Sequence, residues 1–285
     1  MRLCSVKRNH EVEGALELGG KLVSFRSLSK STGIDLPISL FDVLTDEVSQ
    51  GKLRKAHDAL IKQGSAIEET MNDFKFAAPY YAPPKIWGIG LNYKEHAADL
   101  GAKLPDEPAS FMKPRTTIIG PGETIKLPSQ SKRVTAEAEL GIIIGKRCKN
   151  IAEDKAESVV FGYVPIIDMT AEDILQRNPR FLTVAKSFDT FFSFGPMILT
   201  PDEIKDIHNL SVTTVHNNHV EKSNKISNMI FSLNKLISFH SKVMTMEPGD
   251  IISTGTPGAV VISDGDTVEA RIDNFPTLSN NVKRA

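Results

Sequence analysis

The stretch Val134–Gly145, VTAEAELGIIIG, constrains this chain more than any other. Its apolar run of Leu140, Ile142, Ile143 and Ile144 reads as a strand buried on both faces. Side chains two apart in a strand leave the same face, so Glu137 and Glu139 aim at one place. Two carboxylates at the mouth of a buried strand repel each other and are costly to desolvate. A shared proton, basic neighbours or a hard divalent cation can relieve them, and a cation is well served by paired oxygen ligands. Read alone, the pair also suits an edge strand with both side chains in water.

Asp168 closes FGYVPIID, a second buried-looking strand, where a sheet would open to solvent. With Glu137 and Glu139 it makes a set of three carboxylates, which suits Mg2+, Mn2+ or Ca2+ and does not suit zinc. On its own Asp168 reads equally as a turn or cap acid. His96 falls in Tyr93–Leu100, predicted to be a short helix ended by Gly101, and Asp99 follows it on the same face. A carboxylate beside imidazole raises its basicity and can orient it to take a proton from water. Lys186 opens KSFDTFFSFGP, ahead of an aromatic run, and is a candidate cation for a substrate oxyanion or a strand-end lysine in water. Thr254, Gly255 and Thr256, in STGTPG, form a turn whose N–H groups and hydroxyls can hold a carboxylate, or a plain Gly-Pro turn.

Other chemistries are excluded. The glycines at 88 and 90 do not extend to a dinucleotide fingerprint, because Tyr93 stands at its last position, and no phosphate-binding P-loop occurs. Thirty-four basic against 35 acidic residues leave a net charge of −1, which gives no general pull toward nucleic acid or anionic membrane. No apolar run approaches the roughly 20 residues of a membrane helix, and the N-terminus lacks a signal-peptide core. Cys4 and Cys148 make neither a metal spacing nor a disulfide framework. A cytoplasmic protein without nucleic-acid or membrane partners is the expectation.

The fold class expected is α+β and rich in strand, without the regular βα alternation of a barrel or Rossmann domain. Residues 1–76 are read as a small N-terminal domain, with strands at Arg2–Val6 and Leu16–Phe25 and helices at Leu40–Val48 and Leu53–Lys62. The proline-rich AAPYYAPP marks the boundary, and residues 77–285 are read as the catalytic domain. There, Ser211–Glu221 predicts a hairpin with Asn217-Asn218 at its tip, and Met229–Met244 a core-facing helix.

Taken in order, GLNYKEHAADLG, SFMKP, EAELGIIIG, FGYVPIIDMTAED, KSFDTFFSFGP, SNMIFS, MTMEPGDIISTGTPG and VEARIDNFPTL resemble the fumarylacetoacetate hydrolase family from Ile86 to Val282. The resemblance implies a mixed β-sheet roll preceded by a small, variable N-terminal part. It implies Mg2+ or a similar ion held by Glu137, Glu139 and Asp168, and a lid with a His–acid dyad matched by His96 and Asp99. It also implies a lysine matched by Lys186, a substrate-contacting threonine matched by Thr256, a homodimer, and a small 2-oxo or 1,3-dioxo acid as substrate. C–C hydrolysis of an acylpyruvate-like acid is the first reaction expected, with oxaloacetate-type decarboxylation or enol–keto isomerisation as the alternative. A 2-oxo acid can chelate a cation through its carboxylate and 2-oxo oxygens, and each of these reactions passes through an enolate. The sequence departs from the family at Asp99, usually Glu, and at Glu172 and Leu175, where Arg and Gln are common, so the substrate end of the site is expected to differ.

Overall fold

The computed structural model describes residues 1–8, 11–63, 74–99, 101 and 103–285, apart from the Asp99 side chain. Three strands open the chain: β1 (Arg2–Arg8), β2 (Glu11–Leu18) and β3 (Lys21–Ser24). The strand expected to run through Phe25 stops one residue sooner. Ser24 accepts a hydrogen bond from the Ser27 N–H and caps a helix there, α1 (Phe25–Thr32). Helices α2 (Leu40–Thr45) and α3 (Glu47–Gln63) lie where apolar spacing predicted them. β4 (Lys75–Ala77) pairs with β1, and the proline-rich segment then leads to β5 (Ile86–Gly90).

Next come α4 (Lys94–Asp99), β6 (Ala109–Met112), β7 (Ile118–Ile119) and β8 (Thr124–Leu127), then the two long central strands β9 (Val134–Ile144) and β10 (Val160–Ala171). α5 (Glu172–Arg177), α6 (Leu182–Lys186), β11 (Phe192–Phe194) and β12 (Met197–Leu199) follow. β13 (Ser211–His216) and β14 (His219–Lys225) form the predicted hairpin, with Asn217 and Asn218 at φ of 48° and 66°. Helix α7 (Leu233–Val243) begins at Leu233 and not at Met229, because Ser232 caps it by accepting from the Lys235 N–H. The skipped residues are held elsewhere: the Ile230 N–H donates to the Asn92 carbonyl. β15 (Ile251–Ser253), β16 (Ala259–Ile262), β17 (Thr267–Ile272) and β18 (Leu278–Arg284) complete the chain.

The larger sheet runs β3-β2-β1-β12-β10-β9-β15-β5-β6, with β4, β7, β11 and β16 attached beside this path. It mixes parallel pairs (β15 with β5, β11 with β7) with antiparallel ones. The smaller sheet runs β14-β13-β17-β18-β8. The class is the predicted one, α+β and strand-rich with mixed sheets. The N-terminal strands belong to the same sheet as β9 and β10, joined through β1 and β12.

The alternation of β9 assigns its two faces. Ala136, Ala138, Leu140, Ile142 and Ile144 enter a core shared with the smaller sheet, to which Val212, Val268, Ala270 and Leu278 contribute. On the other face, Ile143 joins a second cluster with Val164 and Ile166 of β10 and with Leu28, Leu44 and Leu53 of the N-terminal helices. The same face carries Glu139 and Glu137 farther along β9. Apolar cover thus occupies one end of this face and acids the other.

Candidate metal centre

The register of β9 and β10 sets Asp168 directly opposite Glu137 and Ile166 opposite Glu139. Opposite residues in an antiparallel pair share a face, so the three acids converge. Each offers an oxygen, and these oxygens lie within 4.8 Å of one another. Glu139 and Asp168 are buried, at 2% and 0% exposure, and Glu137 is half-buried.

Two lysines enter the cluster. The Lys186 Nζ donates to Glu137 Oε2 at 2.9 Å and to Asp168 Oδ2 at 2.7 Å. The Lys113 Nζ donates to Asp168 Oδ1 and, at 3.2 Å, to the Met169 carbonyl. Among the described residues no lysine comes within ion-pair distance of Glu139. Glu139 accepts from the Ser253 hydroxyl and, at 2.9 Å, from the Gly255 N–H. The Thr170 hydroxyl approaches Glu137 at 3.4 Å. Lys186 is seated over the Phe111 ring, 4.6 Å from its centroid. The tip of the Phe111 ring in turn sits against Gly88, where a Cβ would come within 2.2 Å of Cζ. The glycine that failed to make a nucleotide fingerprint is therefore the floor beneath the tip of the aromatic ring.

Charge accounts for the electrostatics. Burial, then the nearby Asp168 and Glu137 carboxylates, push the Glu139 acid up to about 8. Burial pulls the Lys113 ammonium down to about 8, against the pull of Asp168. Burial opposes the charge on Lys186 as well, but Asp168, Glu137 and Glu139 together outweigh it and hold that ammonium above its usual range. At Asp168 burial is outweighed by Lys113 and Lys186, which keep the carboxyl below its usual range. Fully ionised, three carboxylates against two ammonium groups would leave one negative charge in excess, and the proton on Glu139 removes it until a cation takes its place. A hard oxygen donor set, crowded enough to keep a proton on Glu139, fits a divalent cation such as Mg2+, Mn2+ or Ca2+.

The remaining predicted residues are placed as follows. His96 is buried on α4, at 7% exposure. Asp99 closes α4, and its side chain lies outside the described residues, as does Leu100. The carboxylate held by the Gly255 N–H is the protein's own Glu139. Thr256 is buried, and its hydroxyl is turned onto Gly258, donating to the carbonyl at 3.0 Å. The departures from the family pattern are satisfied locally: Glu172 pairs with Arg133, and Leu175 packs against the larger core.

Sequence reasoning missed Lys113, Ser253, Thr170 and Tyr93. All four lay within quoted motifs, SFMKP, STGTPG, FGYVPIIDMTAED and GLNYKEHAADLG, without a role. The usable signal for Lys113 was a lysine wedged between an apolar strand and Pro114. Tyr93 is fully buried, and among the described residues its hydroxyl has no hydrogen-bond partner. Burial, then the charges of Glu139 and Glu95, raise it above the usual phenol range.

The family model described as fumarylacetoacetate (FAA) hydrolase C-terminal matches residues 85–283. A mitochondrial oxaloacetate tautomerase of Rattus norvegicus is 32% identical, covering 99% of this chain and 91% of its own. One from Xenopus laevis is 33% identical over 94% of this chain and 84% of its own. Among solved structures, maleylpyruvate hydrolase from Sphingobium sp. SYK-6, in complex with manganese (II) ion and pyruvate, aligns over all of both chains with a TM-score of 0.81 and 27% identity. A 5-carboxymethyl-2-hydroxymuconate delta-isomerase from Mycobacterium smegmatis aligns over 100% of this chain and 99% of its own, with a TM-score of 0.75 and 28% identity. With its family model spanning most of the sequence and its acids converging on one face of β9 and β10, the chain belongs to the fumarylacetoacetate hydrolase family.

Proposed function

We propose that this protein is a divalent-metal-dependent enzyme that interconverts the keto and enol forms of a small 2-oxo acid of the oxaloacetate class. The observation that carries the reading is the convergence of Glu137, Glu139 and Asp168 with Lys186 bonded to two of them. The likeness to oxaloacetate tautomerases over nearly the whole chain supports the reaction type.

Glu137, Glu139 and Asp168 would hold the ion, Mg2+ by preference, with Mn2+ or Ca2+ as alternatives. When bound, such an ion supplies Lewis acidity that polarises the 2-oxo group and stabilises an enolate. Lys186 adds a fixed ammonium charge where enolate oxygen develops. His96 moves the proton on and off the substrate carbon, and by resemblance to the family Asp99 is proposed as its dyad acid. Lys113 holds Asp168 in place. The turn at Gly255 and Thr256 bounds the site, and the Thr256 hydroxyl, rotated off Gly258, would contact the substrate carboxylate. Tautomerisation needs no attacking water, so this set is sufficient for it.

A second reading is C–C hydrolysis of an acylpyruvate-like acid, with His96 and Asp99 activating water. The likeness to maleylpyruvate hydrolase favours it. Loss of enol absorbance, followed with oxaloacetate and with an acylpyruvate, with and without Mg2+ or Mn2+, separates the two. The proposal expects faster loss of the oxaloacetate enol signal with the four-carbon acid recovered intact. Cleavage of the acylpyruvate to pyruvate and a second acid would favour hydrolysis, and release of CO2 from oxaloacetate would favour decarboxylation. By resemblance to the family the active form is proposed to be a homodimer, and the two free cysteines suit a reducing, cytoplasmic setting.

A further inference from the structure

Asn92 stands between the metal centre and the helix that carries His96. It is fully buried. Its Nδ2 donates to the Thr254 carbonyl at 2.8 Å and to the Phe231 carbonyl at 3.2 Å, and its Oδ1 accepts from the Phe231 N–H at 2.8 Å. Its own carbonyl accepts from the Ile230 N–H at 2.8 Å. Thr254 precedes Gly255, whose N–H grips Glu139 at 2.9 Å. Gly255 lies at φ +94°, and a Cβ there would come within 2.8 Å of the Asn92 Cβ. The turn that grips Glu139 therefore packs against the Asn92 side chain at contact distance. Beyond Asn92, the Tyr93 carbonyl accepts from the Ala97 N–H and starts α4. Leu91, immediately before it, is held at φ 57°, a conformation that non-glycine residues take up rarely.

We propose that Asn92 is a positioning residue that couples the turn holding Glu139 to the start of α4, so that filling the metal centre and placing His96 are one event. Buried amides bonded on both sides transmit displacement, because leaving any of these groups unpaired costs free energy. Partners one step removed from a metal ligand set its geometry in the same way. The inference rests on the metal reading above and goes beyond it in linking that site to the segment that carries the proton-transfer group.

The test uses the full-length, metal-free protein with Mn2+ as probe. Hydrogen exchange is followed over residues 94–98, which supply no proposed metal ligand, and Mn2+ affinity is measured by calorimetric titration. In the wild type, Mn2+ is expected to slow exchange over this stretch. In Asn92→Ala that response is expected to vanish and the affinity to fall about tenfold or more. Should Asn92→Ala fail to fold, Asn92→Asp keeps the acceptor for the Phe231 N–H and loses the donors to the Thr254 and Phe231 carbonyls, and the same loss is expected. Asn224→Ala removes the 2.9 Å bond to Glu95 on the same helix. It is expected to leave both the affinity and the Mn2+ response unchanged. A purely structural Asn92 would lower thermal stability but keep the Mn2+-dependent slowing, and that result would overturn the proposal. Mn2+ bound by the wild type without any change over residues 94–98 would overturn it and leave the metal reading standing. No Mn2+ binding by the wild type would overturn both.

Discussion

At Glu139, burial and two neighbouring carboxylates keep a proton on the acid up to about pH 8. A cation binds the deprotonated form and must displace that proton. Below pH 8 the deprotonated fraction rises with pH, so affinity is expected to climb by about tenfold per pH unit and to level off above pH 8. Mn2+ titrations across that range check the sign, and an affinity independent of pH would contradict the assignment. Glu137 and Glu139 were legible as a pair because alternation alone sets their direction, whereas Asp168 meets them only through the register of β9 and β10. Lys113 was not legible. A lysine reads as solvent-exposed by default, and its burial depends on Asp168, a partner 55 residues away whose position only the sheet fixes.

Among the elements, the edge of the larger sheet beside the site is held by one close approach. On β5, Gly88 lets the Phe111 ring of β6 approach closely, and Phe111 seats Lys186. Gly88→Ala is expected to push the ring aside, lower stability by about 1–3 kcal/mol and reduce activity by unseating Lys186. Gly51, on the exposed side of α3, has nothing within 4 Å of a Cβ. Gly51→Ala is expected to stabilise by about 0.5–1 kcal/mol and leave activity unchanged. Thermal denaturation with parallel rate measurements distinguishes the two, and equal effects would contradict this account of the edge. The central strands and the β13–β14 hairpin were readable because period-two alternation and paired asparagines are local signals. The starts of α1 and α7 were not, since Phe25 and Met229 are apolar and fit either pattern. Ser24 and Ser232 decide the matter by capping, and Met229 is drawn instead into a bridge with Tyr93.

Across the whole molecule, one sheet and one hydrophobic cluster join the N-terminal strands and helices to the strands that bear the acids. The N-terminal ammonium group lies 2.8 Å from Glu203, and Arg54 of α3 reaches Asp202 at 3.3 Å, across the same seam. Residues 1–76 are therefore expected to unfold together with the remainder, in a single calorimetric transition. Two resolved transitions would contradict this. Prolines led the sequence reading to place a boundary after residue 76, whereas the strand pairing between Arg2 and Leu199 has no local signature.

The central claim is that Glu137, Glu139 and Asp168 hold one hard cation that anchors an oxo acid. An anomalous difference map from crystals soaked in Mn2+ tests it most directly. The expected result is a single strong peak among these three carboxylates in each chain. A map with no peak there, with Lys186 still bridging Glu137 and Asp168 and Lys113 still bonded to Asp168 at saturating Mn2+, would contradict it.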